Sequence, residues 1–287
     1  MHLLSKKTWL IFIQLTRLDR PIGTYLVLWP ALWALVLAAD HLPSIGLVII
    51  FTLGAFAMRS AGCIINDYAD RHFDGHVERT CNRPLAAGLI TEKQALGFFV
   101  TLCLLSLGLV LLLNKLTIIL SIGALILAML YPFMKRHTYW PQAFLGAAFA
   151  WAIPMAFAAV QNDVPWQSWI VFLTIMIWAL IYDTAYAIGD KEDDLKIGIR
   201  STAILFGEHV RFWIGFFQLI MFGLLIWIGE LFDLAGGYHA ALLVVFGLFM
   251  YHQRLLARND PKAAFDAFLN NHWVGLVLLL GTVFDKW

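Results

Sequence analysis

Charge is what this chain has least of. Asp, Glu, Lys and Arg make up 14% of its 287 residues, against 61% apolar; an ordinary soluble domain is roughly a quarter charged. Cysteine is also scarce. Cys63, Cys81 and Cys103 are odd in number and lack metal-ligand spacing, so they read as small packing residues and not as a disulfide framework or a thiolate site. No Ser/Gly-rich linker or composition break divides the chain, so one domain over 1–287 is expected. A net charge of +1 gives nucleic acid no footing. The apolar stretch Trp9–Ile13 is short, is interrupted by Gln14 and has no small-residue cleavage site after it. Residues 1–20 therefore read as a cytoplasmic segment with an interfacial helix, not as a signal peptide.

What is present is apolar sequence in long runs. Nine stretches, at about 22–39, 44–65, 94–113, 116–134, 142–160, 166–188, 212–229, 238–253 and 270–285, read as long enough to cross roughly 30 Å of hydrocarbon as helices. The expected architecture is all-α, a polytopic membrane protein of about nine transmembrane helices around a central cavity. Of the 20 cations, 17 fall on one side of these spans; Lys115 and Lys286 fall on the other and Arg59 lies within the second span. The positive-inside rule then puts the N-terminus in the cytoplasm and the C-terminus outside. Connections on the outer side are short. Two on the cytoplasmic side, about 66–93 and 189–211, are long and polar, the kind of segment that carries function.

Both long segments open with carboxylates in helical register. Asn66, Asp70 and Asp74 recur every fourth residue, Asp67, Asp70 and Asp74 at three and four, and Asp183, Asp190 and Asp194 at seven and four. Each set lines one helix face. Like charges at that spacing repel, and an apolar span beside them adds desolvation. A hard divalent cation offsets both costs, and Mg2+ typically takes one or two carboxylates and completes its shell with water and phosphate oxygens. Arg71, Arg79, Arg83, Lys191 and Arg200 stand beside these acids and suit the remaining phosphate charge. Solvated loop carboxylates are the better description of Glu92, Glu192 and Asp193, which are off the shared faces. Asn66, Asp70, Asp74 and Glu78 are also answered 116 positions later by Tyr182, Tyr186, Asp190 and Asp194, and Asp67 by Asp183, a hint of two related halves.

These residues carry a resemblance. Asn66 to Asp74 with Arg79-Thr80-Cys81-Asn82-Arg83-Pro84-Leu85, and Tyr182 to Asp194, resemble the two signature motifs of the intramembrane aromatic prenyltransferases. Arg17-Leu18-Asp19-Arg20-Pro21-Ile22-Gly23 and Tyr131-Pro132-Phe133-Met134-Lys135-Arg136 are similar to its 4-hydroxybenzoate polyprenyltransferase subgroup, which acts in ubiquinone biosynthesis. The resemblance runs nearly end to end. It implies Mg2+ held by Asn66, Asp70 and Asp74 at one site and by Asp190 and Asp194 at a second. It also implies polyprenyl diphosphate as donor, an aromatic acid as acceptor, lipid as surroundings, and a bacterial inner membrane location with the active site facing the cytoplasm. The implied reaction joins the prenyl carbon to the ring carbon ortho to the phenol. Arg136 is the first candidate to receive the acceptor's carboxylate and Arg59 the second, since an intramembrane arginine is a functional candidate by default. Asp183 either orients Asn66 or ligates metal, and Tyr186 supports the second motif. Arg59 could instead pair with Asp67 or Asp183. His72, His76, His137 and His209 read as solvated, and the twelve tryptophans mostly as interface anchors and lipid-facing bulk.

Alternatives of other kinds are a cation-coupled transporter, whose ionisable groups belong near the bilayer midplane, and a prenyltransferase with a naphthoate, homogentisate or porphyrin acceptor. A soluble isoprenyl diphosphate synthase shares the acidic logic but not the spans.

Overall fold

Helix ends follow local chemistry throughout the computed structural model, which describes residues 6–71, 75 and 80–287. Helix α1 (Lys6–Leu15) closes in a Schellman turn: Leu18 N–H donates to the Ile13 carbonyl at 3.0 Å, Arg17 N–H to Gln14 at 3.3 Å, and Arg17 takes the left-handed φ of 59°. The short α2 (Ile22–Ala38) follows Pro21. Ser44 caps α3 (Ile45–Asp70), and Thr91 with Gln94 forms a capping box on α4 (Glu92–Val110). Asn114 caps α5 (Lys115–Met134). The next span is broken in two, α6 (Pro141–Ala150) and α7 (Ala152–Gln161), because Pro154 has no N–H to offer the Ala150 carbonyl four residues back. Gly198, at φ 73°, ends the longest helix, α8 (Trp166–Ile197). After the short α9 (Thr202–Phe206) come α10 (Val210–Leu231) and α11 (Gly236–Leu256). The last span is also divided, into α12 (Pro261–Asn270) and α13 (His272–Lys286). Its joint is Asn271, whose amide donates to the Ala267 carbonyl and accepts from the Trp178 indole.

Among the described residues eight segments are long and apolar enough to cross a membrane, and α2 is a shorter apolar ninth, so the nine expected spans are all present as helix. Among the described residues there is no strand. Neighbouring helices close a ring, α2 to α3, α5, α6, α8, α10, α11, α13 and back to α2, with α7, the continuation of α6, packed on α2, α5 and α8. Small residues set the closest approaches. A Cβ on Gly146 would stand 2.7 Å from the Met176 carbonyl oxygen, and one on Gly281 2.8 Å from that of Gly237. The core runs through α2, α7, α8, α10, α11 and α13, whereas α4 and α5 bury few of their side chains. Trp33 and Trp178 belong to that core, 1% exposed, with indoles donating to Thr282 and Asn271. They depart from the anchor reading, which Trp9, Trp166, Trp227 and Trp287 fit by their exposure. The free Cys63 is buried, as a packing residue should be.

Two helices outrun the bilayer. At 1.5 Å per residue α3 is about 39 Å long and α8 about 48 Å, against roughly 30 Å of hydrocarbon. Both overhangs lie at the same end of the ring and both carry carboxylates.

Candidate active site

A cavity of about 510 Å³ opens between those two overhangs. Asn66, Asp67 and Asp70 from α3 and Asp183, Tyr186, Asp190 and Asp194 from α8 line it, so the register read from sequence does turn both sets to one place. Glu192 and Asp193 do not line it; Asp193 pairs instead with Lys196 at 2.9 Å on the outer face of α8. Asp74 and Arg79, two expected members of the site, lie outside the described residues, as do Glu78, His72 and His76. His137 and His209 are exposed.

The α3 carboxylates are deeply buried, Asp67 1% and Asp70 2% exposed, which only close compensation permits. Asp67 receives Arg17 at 2.9 and 3.2 Å and Arg83 at 3.2 Å. The Schellman turn of α1 is what aims Arg17 back at α3. Asp70 receives the Lys135 ammonium, and the Arg136 guanidinium, bonded to the Ala69 carbonyl, stands 3.5 Å from its other oxygen. Arg136, first choice for an acceptor's carboxylate, does not itself line the cavity; it stands beside Asp70 at the acidic end. The turn that bears Lys135 and Arg136 is pinned from α8's side: Arg200 N–H donates to the Lys135 carbonyl and the Arg200 guanidinium to that of His137, both at 2.9 Å. Thr202, which bonds Thr184 at 2.7 Å and the Gln142 side chain at 3.1 Å, holds the chain after α8 against α6.

Of the cations expected at phosphate, Arg83 and Arg200 line the cavity, and Arg71 and Lys191 do not. Arg71 reaches away to Glu92 at 2.9 Å and lies over the Tyr68 ring. Arg17 and Lys135 line it too. In the sequence they have a part only in topology and in subgroup similarity, because what makes them site residues is contact with acids 50 and 65 positions away.

Arg59 stands apart. It lies on α3 eleven residues before Asp70, about 16 Å deeper along the axis, and lines the inner cavity with Tyr131, Phe149 and Tyr182. The guanidinium is 6.0 Å from the Phe149 ring centre, and its buried Nε has no hydrogen-bond partner. Among the described residues it makes no ion pair with Asp67, Asp183 or any other acid. Gly23 leaves it room: a Cβ there would fall 2.3 Å from the guanidinium. An unneutralised guanidinium inside an apolar, aromatic-walled cavity is costly unless an anion comes to it. Among the described residues the site is thus polarised, with hard oxygen donors and compensating cations at the mouth and one unpaired cation within.

No three His, Cys, Asp or Glu side chains among the described residues form a ready-made metal cage. The donor set at the mouth still fits a magnesium ion that keeps phosphate and water ligands, since Asn66, Asp70, Asp190 and Asp194 are all hard oxygen donors facing one cavity.

Residues 27–275 match the profile of the UbiA prenyltransferase family. The 4-hydroxybenzoate octaprenyltransferase of Hydrogenovibrio crunogenus is 67% identical over 96% of each chain. Among solved structures, a UbiA homolog from Aeropyrum pernix superposes with a TM-score of 0.83 at 20% identity, covering 93% of this chain and 99% of the homolog. A second, from Archaeoglobus fulgidus bound to GPP and Mg2+, gives 0.72 at 17% identity, covering 95% and 99%.

Proposed function

Because this chain belongs to the UbiA prenyltransferase family, we infer that it transfers a polyprenyl group from polyprenyl diphosphate to 4-hydroxybenzoate, a step of ubiquinone biosynthesis. The names borne by full-length relatives support an eight-isoprene donor. The observation that carries the reading is the polarised cavity, which offers a diphosphate and a carboxylate separate places.

Asn66, Asp70, Asp190 and Asp194 would hold Mg2+ at the mouth, with Asp74 of the same sequence motif as a further ligand, and the relative solved with GPP and Mg2+ supports a metal-bound diphosphate. The chemistry a bound Mg2+ supplies is neutralisation of negative charge growing on the leaving diphosphate. Arg83, Arg200 and Lys135 add preorganised positive charge to the same oxygens, and Asp67 fixes Arg17 and Arg83 in place. Arg136, beside Asp70 but outside the cavity lining, supports this group from behind. Arg59 takes the acceptor's carboxylate, which orients the ring so that the carbon ortho to its hydroxyl faces the mouth. The allylic C1–O bond breaks, the electron pair leaves with diphosphate, the ring carbon bonds to C1 and then loses its proton. Tyr131, Tyr182, Tyr186 and Phe149 wall the space between and shelter the developing allylic cation by their ring faces. The long prenyl tail enters from the lipid between helices. The cation bias supports a mouth on the cytoplasmic side of the membrane, and the bacterial relatives support the inner membrane.

Purified protein given 4-hydroxybenzoate, octaprenyl diphosphate and Mg2+ should yield the ring-prenylated acid by mass spectrometry. Absence of that product, with prenylation of a naphthoate or homogentisate instead, would redirect the acceptor assignment.

A further inference from the structure

A second cavity, about 480 Å³, lies away from the acidic mouth, on the lateral face between α10 and α11. Its polar end is a relay of three side chains. Arg211, in the first turn of α10, donates from Nε to the Gln253 side-chain oxygen at 3.4 Å, and Gln253 Nε2 donates to Gln218 Oε1 at 2.9 Å. Arginine is a donor only, so it fixes which way the Gln253 amide faces, and Gln253 in turn fixes Gln218. The relay therefore ends on a donor. Gln218 is 3% exposed and its Nε2 has no acceptor, a condition that folded proteins rarely leave unanswered.

The rest of the groove is hydrocarbon. Phe216, Leu219 and Met250 form rims open to the side, Phe249 is the buried floor, and Phe222 meets Phe246 at the far end with ring centres 5.7 Å apart. From Arg211 to Phe222 the groove runs about 16 Å along α10, half of a hydrocarbon core roughly 30 Å thick. Its length is one leaflet. Arg211 is the one charged residue among its lining, matching the single negative charge of a phosphodiester and not the higher charge of a diphosphate. A long polyprenyl chain would also outrun it.

We propose that this groove binds one anionic glycerophospholipid from the leaflet on the side of the acidic mouth. Its phosphate sits on Arg211, an ester carbonyl accepts from Gln218 Nε2, and one acyl chain lies over Leu219 toward Phe222 and Phe246. The depth order of cation, amide donor and aromatic wall matches headgroup, glycerol and chain.

Native mass spectrometry of the full chain in detergent tests this, with phosphatidylglycerol, phosphatidylcholine and octaprenyl diphosphate as separate probes. One phosphatidylglycerol should bind in preference to phosphatidylcholine. Arg211→Ala should weaken it about tenfold and Gln218→Leu about fivefold, while Arg258→Ala, a cation at the same end but outside the groove, should not. A phosphatidylglycerol carrying a photoreactive group in mid-chain should label residues 212–222 or 246–250, which reads the location even if Gln218→Leu fails to fold. Equal binding of the two phospholipids, equal loss in Arg258→Ala, labelling confined to α4 and α5, or displacement by octaprenyl diphosphate would each overturn the assignment.

Discussion

The two acidic helix ends do the same work from opposite circumstances. Helix α3 stops on its acid: Asp70 is the last helical residue, and both Asp67 and Asp70 are buried under cations from three other parts of the chain. Helix α8 runs on past Asp190 and Asp194 to Ile197, and those two carboxylates remain half-exposed. One end is therefore part of the folded interior as well as of the site, while the other is a rigid arm that presents ligands. A carboxylate can serve function alone or function and stability together, and burial decides which.

The sharpest way to break that contrast is Asp67→Ala. Removing the carboxylate strands two partly buried guanidinium groups, and losses of about 3 kcal/mol are typical when one partner of a buried pair goes. Thermal melting in detergent should fall clearly and turnover with it. A melting point equal to wild type would dissolve the distinction between the two ends.

Asp190→Asn and Asp194→Asn should instead leave melting nearly unchanged while prenyl transfer drops by about a hundredfold or more, the size of effect that loss of one preorganised electrostatic group produces. Melting losses as large as those of Asp67→Ala would show that the α8 end is structural too. Chelation by excess EDTA should stop turnover as completely as either substitution.

Smaller effects sharpen the picture further. Gly23→Ala should push the Arg59 guanidinium aside, because the new methyl falls on it, and so raise KM for 4-hydroxybenzoate several-fold with little change for the donor. Glu192→Ala and Asp193→Ala, off the cavity face, should retain near wild-type turnover. Losses matching those at Asp190 would mean that bulk negative charge, not register, sets activity.

Much of this was legible in the residue order, and for a physical reason. Apolar runs and one-sided cations report on the bilayer locally, and the three-and-four spacing of Asp183, Asp190 and Asp194 or of Asn66 and Asp70 fixes a helix face without knowledge of the neighbours. Pairing is different. Arg17 meets Asp67 across 50 positions and Lys135 meets Asp70 across 65, and no periodicity reports such contacts. The same limit put Arg136 with the acceptor, although its guanidinium stands 3.5 Å from Asp70, and made lipid-facing bulk of Trp33 and Trp178, whose partners Thr282 and Asn271 are equally remote. Arg59 was conspicuous as an intramembrane charge, but its lack of an acidic partner among the described residues is visible only in three dimensions.

The most direct test of the polarised cavity is a pair of saturation curves, one for each substrate, for Arg59→Ala and Arg136→Ala. Stranding a substrate's buried charge costs roughly 2–5 kcal/mol, so Arg59→Ala should raise KM for 4-hydroxybenzoate by a factor of ten or more and leave KM for octaprenyl diphosphate near wild type. Arg136→Ala should do the reverse. If Arg136→Ala impaired only the acceptor while Arg59→Ala impaired only the donor, the polarity assigned to the cavity would be inverted and the account wrong.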